Sequence, residues 1–537
     1  MKKILYGTDA RNKLLSGAEK VFKAVSSTLG PKGSNVAIGR EWGEPAVFHD
    51  GVSVSRECVG LEDKFENLGA ELIKSAADKM DAVGDGTTLT TILTYAIAKE
   101  ANKNIVAGAN ARMLRKGIEI AVDKIIERVE EMSIPIKDEN ILQIATISAQ
   151  DEEIGSLIAG AIKKLGRDAV ITVEESGSTD MSIDYKEGMA FDKGWQNKYF
   201  ITNNETGEAE IENPYILITD ARISDMKEFM SIFAAYDAGL KANLIENTSL
   251  VIISNGVDGA PLATLISNKV NGGLKPLCIQ APGFGIQQLD FLQDIATATG
   301  ATMISKDLGI KLNEFKIDYF GRAKKIISTK DSTTIIGGAG DAKDLKERVK
   351  LIKNQLANED REFDRERLQE RLAKLTSGIA IINVGASSDA EVREKKEACI
   401  DAISAVKAAC EDGIVPGGET TLIRCISSVP HGLDGEIAIG ASIIVKSCQK
   451  PFEVLMENSG YNSGQMLERL QAFWFDCTKD ENWGIDVMDG ESKDMVKSGI
   501  IDPTKVVKSA LRNASSSAIM IFTTSTIIIE EKDVSAN

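Results

Sequence analysis

The run Gly84-Asp85-Gly86-Thr87-Thr88 contains residue types that bind phosphates and magnesium. Its glycines allow the backbone to approach a ligand closely, and the amide groups at the start of a helix attract anions. The two threonine hydroxyls add hydrogen-bond donors, and Asp85 offers the oxygen ligand that Mg²⁺ prefers. The same run is also typical of a turn followed by a helix N-cap, so the residues alone leave both interpretations open.

Two further glycine turns could accompany this run in a nucleotide site. They are Thr28–Gly33, which ends an apolar helical pattern, and Val415–Gly418. With the acids Asp50, Asp85 and Asp401, the turns suggest a site for a magnesium–nucleotide complex. None of them matches a Walker A or dinucleotide-binding fingerprint, so short motifs do not identify the ligand. Simple helix ends followed by solvated turns are the competing interpretation.

The elements around these turns divide the chain into helical ends and a mixed middle. Apolar residues recur at helical spacing near both ends, as in 14–25 and 506–518. The middle carries short apolar runs of strand composition, such as 215–218 and 250–253, with helical patterns between them, and a charge-rich stretch at 341–375 predicts a solvated antiparallel helix pair. The alternation predicts an α/β module with a largely parallel sheet. Three domains in series and one helical domain with the middle inserted both remain open.

Composition excludes several classes of function. The 537 residues include 63 basic and 80 acidic side chains, for a net charge of −17 and a pI near 4.9. Nucleic acid and anionic membranes are therefore not expected partners. Seven cysteines without a CxxC pair and only two histidines argue against a zinc site and a disulfide framework. Scattered core thiols are typical of a reducing compartment, and no uninterrupted apolar run reaches roughly 18 residues, so we predict a cytoplasmic protein.

Eight motifs, in one order along nearly the whole chain, resemble the GroEL-type (group I) chaperonins. These motifs are Thr28–Gly33, Asp50–Val54, Leu61–Asn67, Gly84–Thr88, Thr146–Ala149, Ala281–Gly285, Leu292–Ala296 and Ile501–Val506. The resemblance implies an α+β multidomain fold: a helical equatorial domain built from both chain ends, a small intermediate domain and an inserted α/β apical domain. The implied segments are 1–131 (equatorial), 132–187 (intermediate), 188–378 (apical), 379–411 (intermediate) and 412–537 (equatorial).

The resemblance also implies a pocket for ATP and Mg²⁺, and it allows K⁺ as well. Asp85 would hold the metal and Asp502 would meet the ribose. Asp50 and Asp401 would position the attacking water, as phosphoryl transfer requires. The residues expected at the nucleotide are Thr28, Leu29, Gly30, Pro31, His49, Asp85, Gly86, Thr87, Thr88, Leu89, Gly418, Asp486 and Asp502.

Five features depart from the family pattern. His49 stands where a lysine is usual, and Leu89 stands where a threonine is usual. Glu419 replaces the third glycine of a Gly-Gly-Gly turn, and Asp486 replaces an asparagine. Residues 530–537 lack the Gly-Gly-Met repeats common in bacterial members. These departures suggest a divergent paralogue, and the alternative function is a binding or scaffold protein that hydrolyses ATP poorly or not at all.

The family captures unfolded chains on an exposed apolar surface of the apical domain. Helical spacing alone predicts core positions for such residues, whereas the resemblance predicts that they are exposed. The implied partners are non-native polypeptides, a co-chaperonin lid and further copies of the chain in a heptameric ring, single or double. The predicted function is therefore an ATP-dependent chaperonin that promotes folding in a ring cavity. The residues expected to contact clients are Trp195, Tyr199, Phe200, Met230, Phe233, Leu262 and Ile266.

Overall fold

The computed structural model describes residues 2–39, 46–48, 50–80, 83–167, 169–176, 178–203, 206–242, 248–359, 361–376, 378–476 and 481–530. Its α-helices are α1 (Gly7–Ser26), α2 (Gly51–Glu57), α3 (Lys64–Asp78), α4 (Thr87–Val106), α5 (Ala111–Met132), α6 (Asp138–Ala149), α7 (Glu152–Leu165), α8 (Met226–Lys241), α9 (Gly259–Val270), α10 (Ile286–Thr299), α11 (Ala342–Asn358), α12 (Glu362–Thr376), α13 (Asp389–Asp412), α14 (Thr420–Cys425), α15 (Gly435–Ser447), α16 (Lys450–Asn458), α17 (Ser463–Asp476) and α18 (Thr504–Thr523). Its strands are β1 (Lys2–Tyr6), β2 (Val36–Ile38), β3 (Ala46–Phe48), β4 (Val170–Glu175), β5 (Ser182–Phe191), β6 (Ala209–Glu212), β7 (Tyr215–Ile218), β8 (Ser249–Ser254), β9 (Lys275–Gln280), β10 (Gly321–Ser328), β11 (Thr333–Gly338), β12 (Gly378–Val384), β13 (Ile414–Pro416), β14 (Trp483–Ile485), β15 (Ser492–Asp494), β16 (Ile501–Pro503) and β17 (Thr526–Glu530).

The chain forms two compact units. The helical unit contains residues 1–160, 177–179 and 384–537, and the sheet unit contains residues 161–176 and 180–383. Both chain ends therefore belong to one helical unit, which is the inserted arrangement of the two that the sequence left open. The finer division into five segments stays a prediction. No helix among the described residues combines the length and the apolar composition needed to cross a membrane.

Helices packed around α4 form the core of the helical unit. In α1, Leu14, Ala18, Val21 and Val25 are all buried, and their spacing places them on one face of the helix. Helix α4 is buried on nearly all sides, and it contacts α1, α3 and α18. The two chain ends meet because β1 pairs antiparallel with β17. The helices predicted at both ends of the sequence are confirmed.

One twisted sheet organises the other unit, with the strand order β4-β12-β5-β11-β10-β7-β8-β9 and with β6 also paired to β10. Strands β7, β8 and β9 are parallel and fully apolar in their middles, and α8 and α9 follow β7 and β8 as crossover helices. The pairs β10–β11, β11–β5, β12–β5, β10–β7 and β10–β6 are antiparallel. The expectation of a largely parallel sheet is therefore wrong. Strand β10 alternates between buried and half-exposed side chains, a pattern that continuous apolar runs do not reveal.

The charge-rich stretch forms the two helices α11 and α12, which contact each other. Two of their apolar residues, Ile352 and Leu368, are buried in the core of the sheet unit. Arg371 of α12 is buried as well, and its Nε and Nη2 donate to the two carboxylate oxygens of Asp294 in α10, at 2.7 and 3.0 Å. Arg348 of α11 donates from Nε to the same carboxylate at 2.7 Å. A buried ion-pair network thus joins three helices.

Candidate functional site

The loop before α4 is held in place by close packing on both sides. Gly86 immediately precedes α4 in a left-handed conformation (φ 86°), which glycine adopts without strain. A Cβ atom added there would lie 2.6 Å from Cγ1 of Val506 in α18, and one added at Gly84 would overlap the Ser404 side chain of α13. Only glycine fits at these two contacts. The loop therefore lies between α13 and α18, with the amino end of α4 behind it.

Asp85 is the acid at the centre of this loop. Its Oδ1 accepts a hydrogen bond from the Gly86 backbone N–H at 2.5 Å, and Ser148 Oγ in α6 donates to its Oδ2 at 3.4 Å. Burial raises the pKa of Asp85 although both hydrogen bonds oppose the shift. Burial makes the ionised form of this carboxylate unfavourable, and a nearby cation would stabilise it.

The two acids expected to position water lie on elements that touch this loop. Asp50 caps α2, and its Oδ1 accepts from Ser53 N–H at 2.6 Å. The next residue, Gly51, packs so closely on Thr88 that a Cβ atom would overlap the threonine hydroxyl. Asp401 lies three residues before Ser404 in α13, and residues at this spacing are neighbours on a helix surface. The two helices that follow Asp50 and contain Asp401 therefore both contact the loop.

A second glycine turn brings two more carboxylates into the same unit. Strands β13 and β16 pair so that Val415 faces Asp502, and Gly417 N–H donates to Ile500 O at 2.9 Å. Burial together with the negative charge of Asp85 raises the pKa of Asp502 to about 7. Burial, followed by the charges of Asp502 and Asp85, raises the pKa of Glu419 to about 8. Three acids thus interact electrostatically around one pocket.

The Thr28–Gly33 turn lies beside the segment that contains Asp486. Asn458 Nδ2 shapes the turn by donating to Leu29 O at 3.0 Å, and a Cβ atom on Gly30 would overlap the Leu455 side chain. Lys32 Nζ donates to Val487 O at 2.7 Å. Leu29 also packs in the apolar cluster that contains Ile485 and Val487. These contacts bring together two remote segments that the sequence assigned to one pocket.

The remaining residues predicted to contact the nucleotide differ in burial and in their bonding partners. Thr28 is buried, and its Oγ1 donates to Val25 O at 2.9 Å. Asp486 Oδ2 pairs with Lys493 Nζ at 2.7 Å, and the same lysine also pairs with Asp489 at 2.5 Å. The Leu89 side chain lies in the hydrophobic core, which is a correction: only its backbone could reach a ligand at the loop. His49 lies outside the described residues.

Sequence reasoning missed three residues that shape this pocket. Ser148 donates to Asp85, Ser404 packs against Gly84, and Asn458 holds the carbonyl of Leu29. Ser148 belongs to one of the motifs that carry the resemblance, and that motif was its available signal. No local pattern distinguishes Ser404 or Asn458 from other helical polar residues.

The oxygen donors of the pocket suit a magnesium ion. The described residues contain no group of three or more His, Cys, Asp or Glu side chains arranged to hold a metal ion by themselves. Mg²⁺ does not require one, because it commonly binds one or two carboxylates together with substrate phosphates and water. Asp85 can supply such a carboxylate. The donor set therefore fits a metal that arrives with its nucleotide.

The residues predicted to contact clients lie in the sheet unit and differ in exposure. Tyr199 is 58% exposed and Met230 is 47% exposed, so both are available at the surface. Phe200 is 0% exposed and belongs to the hydrophobic core, so the expectation of a surface contact is wrong for this side chain. The remaining four are only partly buried against that core, and these are Trp195, Phe233, Leu262 and Ile266.

The sequence model of the TCP-1/cpn60 chaperonin family matches residues 21–532. The chain belongs to this family. Its structure is similar to the chaperonin gp146 from the bacteriophage EL 2 (Pseudomonas aeruginosa), crystallised in the presence of ATP-BeFx. Crystal form II matches with a TM-score of 0.73, and crystal form I matches with a TM-score of 0.65. Both matches have 21% sequence identity and cover 98% of this chain and 99% of the other.

These comparisons confirm the resemblance and the fold class predicted from the sequence. The protein is a divergent GroEL-type chaperonin with an α+β multidomain fold. The match to gp146 shows a shared fold, and the family match covers all the acids of the pocket described above. The roles of individual residues in this chaperonin rest on the geometry of its own pocket.

Proposed function

We propose that this chaperonin is an ATP-dependent molecular chaperone. The pocket around Gly84–Thr88 would bind ATP with Mg²⁺ and hydrolyse it, and K⁺ would be a further ion of the site. One observation carries the proposal: Asp50, Asp401 and Asp502 lie on separate elements that converge on this one loop. Phosphoryl transfer depends mainly on such positioning and on charge stabilisation.

Each part of the pocket has a distinct task in this proposal. The amide groups and hydroxyls of Thr87 and Thr88 would bind phosphate oxygens at the amino end of α4, where the helix dipole favours anions. Asp85 would hold Mg²⁺, which would supply charge neutralisation of the phosphates when bound. Asp50 and Asp401 would orient the attacking water. The base would lie against Leu29 and Asp486, and the ribose against Asp502.

The sheet unit would capture non-native polypeptides on its exposed apolar residues. Tyr199 and Met230 are exposed. Exposed apolar side chains do not stabilise the fold of the free chain, which supports a role for them in binding a partner. Following the family, we infer that copies of the chain form a heptameric ring, single or double, in the cytoplasm. A co-chaperonin lid would close the ring over a client.

We expect Asp401→Ala to slow ATP hydrolysis at least tenfold, or about 1.4 kcal/mol in the barrier, while nucleotide binding is retained. The reason is that this acid would act on water and not on the bound phosphates. Steady-state ATPase assays, binding of a non-hydrolysable ATP analogue and native mass spectrometry of the assembly measure the three properties together. Glu394→Ala, at an exposed position of the same helix, should leave all three unchanged. Parental turnover in Asp401→Ala would remove the catalytic assignment.

One observation favours the alternative of a chaperonin that hydrolyses ATP poorly. Glu419 puts an acidic side chain beside Asp85 and Asp502 where the family has a glycine, and above its raised pKa of about 8 this side chain adds negative charge at a site that would bind a triphosphate. A parent that assembles, binds clients and binds nucleotide without measurable turnover would support this scaffold function in place of the ATPase.

Client capture gives a second test of the proposal. We expect the double variant Tyr199→Ser/Met230→Ser to bind an unfolded protein at least threefold more weakly, because each apolar side chain buried in a complex contributes roughly 1.5–3 kcal/mol at most. Light scattering of a chemically unfolded enzyme at increasing chaperonin concentration measures the loss. Leu351→Ser is the matched control, since Leu351 lies in the same unit and is 46% exposed. Equal losses in both variants would contradict a specific surface at Tyr199 and Met230.

A further inference from the structure

Lys269, near the end of α9, binds the backbone of a segment that is remote in sequence. Its Nζ donates to Tyr199 O at 2.8 Å and to Ile201 O at 2.7 Å. Among the described residues, no carboxylate pairs with this lysine, and partial burial lowers the pKa of its ammonium group. Burial without a counter-ion costs free energy, which the two charge-assisted hydrogen bonds offset. The side chain therefore fixes the positions of both carbonyls.

The segment that Lys269 holds has one anchored side chain and one exposed side chain. Lys198–Phe200 forms a single turn of 3₁₀ helix. Phe200 is buried in the core of the sheet unit, whereas Tyr199 is exposed. The backbone N–H of Tyr199 donates to Asn197 Oδ1 at 3.0 Å, and its carbonyl accepts from Lys269, so side chains bind both of its backbone polar groups. The exposed ring of Tyr199 therefore extends from a backbone that is held on each side.

Lys269 also belongs to the helix that carries two further residues of the proposed client surface. Leu262, Ile266 and Lys269 follow one another at intervals of four and three residues, and side chains at this spacing share one face of a helix. Leu262 and Ile266 are only partly buried. The lysine thus joins this face of α9 to the backbone of Tyr199, and α9 also contacts Lys198–Phe200 directly.

We propose that Lys269 is a positioning residue for client binding, which holds Tyr199 beside Leu262 and Ile266 as one apolar surface. The inference rests on the proposed function, since it concerns the surface assigned to non-native polypeptides. A side chain whose backbone is already ordered loses less conformational entropy when a client binds. Without the lysine, the tyrosine would still be exposed, but the client would have to order its backbone.

A double-mutant cycle separates this role from a structural one. Lys269→Met keeps the apolar stem and removes the donor, whereas Tyr199→Ser removes the ring and keeps the backbone carbonyl that Lys269 binds. A purely structural effect of Lys269 would therefore persist in the Tyr199→Ser background, and an effect on the ring would not. Light scattering of a chemically unfolded enzyme at increasing chaperonin concentration gives the client affinity of the parent, both single variants and the double variant. Lys353→Met, at an exposed position of α11 in the same unit, makes the same change in charge elsewhere.

We expect Lys269→Met and Tyr199→Ser each to weaken client binding by roughly twofold or more, as when one ordered side chain at an interface is freed or removed. The double variant should bind as Tyr199→Ser does, and Lys353→Met should bind as the parent does. Amide hydrogen exchange of residues 198–202 should be faster in Lys269→Met, because the two carbonyls are no longer held.

Parental client binding by Lys269→Met would overturn the inference alone, and so would an equal loss from this change in the parent and in the Tyr199→Ser background. Thermal unfolding of each variant shows whether it is folded. Loss of the folded state in Lys269→Met would assign Lys269 to the stability of the sheet unit and would also overturn the inference. Failure of the parent to bind the unfolded enzyme would overturn the proposed client capture and the inference with it.

Discussion

Replacing Arg371 with methionine should lower the free energy of unfolding of the sheet unit by about 3–5 kcal/mol, because it removes one partner from a buried ion pair. Arg371 is 2% exposed, and Asp294 is fully buried between Arg371 and Arg348. The methionine fills most of the volume, so the loss comes from the two charged hydrogen bonds that the buried carboxylate loses, with only Arg348 left as its partner, and not from a cavity. Urea unfolding, followed by a probe in the sheet unit, measures the effect.

A second variant shows whether the buried charge is the cause. The double change Asp294→Asn/Arg371→Met should recover at least half of the lost stability, since neutral or apolar replacements of both partners are often tolerated. Arg361→Met is the matched control, because Arg361 lies on the exposed surface between α11 and α12 and should have little effect. If Arg371→Met and Arg361→Met unfold at the same urea concentration, the network does not hold α10, α11 and α12 together.

This network illustrates where sequence patterns stop being informative. Periodicity predicted two helices in the charge-rich stretch, and α11 and α12 are present. The same pattern predicted solvated charges, because a single arginine among many gives no sign that it meets Asp294 in another helix. The partner comes from tertiary packing, which a local window does not contain.

Strand direction has the same limitation. The apolar run predicted at 215–218 matches β7 to the residue, and β8 extends the run predicted at 250–253 by one residue at each end. Parallel and antiparallel pairing, however, depends on how the chain returns to the sheet and not only on the composition of each strand. Strands β10 and β5 contain polar residues between their apolar ones, so they have no continuous apolar run, and both pair antiparallel with β11.

The candidate site was predicted in two different ways. The glycines of the Gly84–Thr88 loop predict close backbone contacts from the local sequence alone. The structure shows these contacts with Ser404 and Val506. The pairing of Val415 with Asp502 joins segments almost ninety residues apart, and only the resemblance to chaperonins related them. The resemblance also misled at Leu89 and Phe200, because a shared position in a motif does not say whether a side chain faces a ligand or the core.

The carboxylate pocket should make the ligand-free protein less stable as the pH rises from about 5 to 8. In the fold, the pKa of Glu419 is raised to about 8 and that of Asp502 to about 7, and the pKa of Asp85 is raised as well. Across this window the folded chain keeps protons that the unfolded chain, with ordinary carboxyl pKa values near 4, has already released. Because the folded state binds more protons, its stability is greatest at the acidic end of the window and is lost as the pH passes the raised values.

Thermal unfolding without nucleotide or metal, measured at pH 6, 7, 8 and 8.5, tests this dependence. Glu419→Gln cannot lose a proton in this range, so its unfolding temperature should fall less steeply than that of the parent, and the two curves should separate most above pH 7. Glu468→Gln, at an exposed position of α17 in the same unit, should follow the parent, which separates the pocket from a general effect of net charge. Titrating groups that do not interact with Glu419 cancel in the difference between parent and variant. Parallel curves for the parent and Glu419→Gln would mean that burial beside Asp502 and Asp85 does not raise the pKa of Glu419.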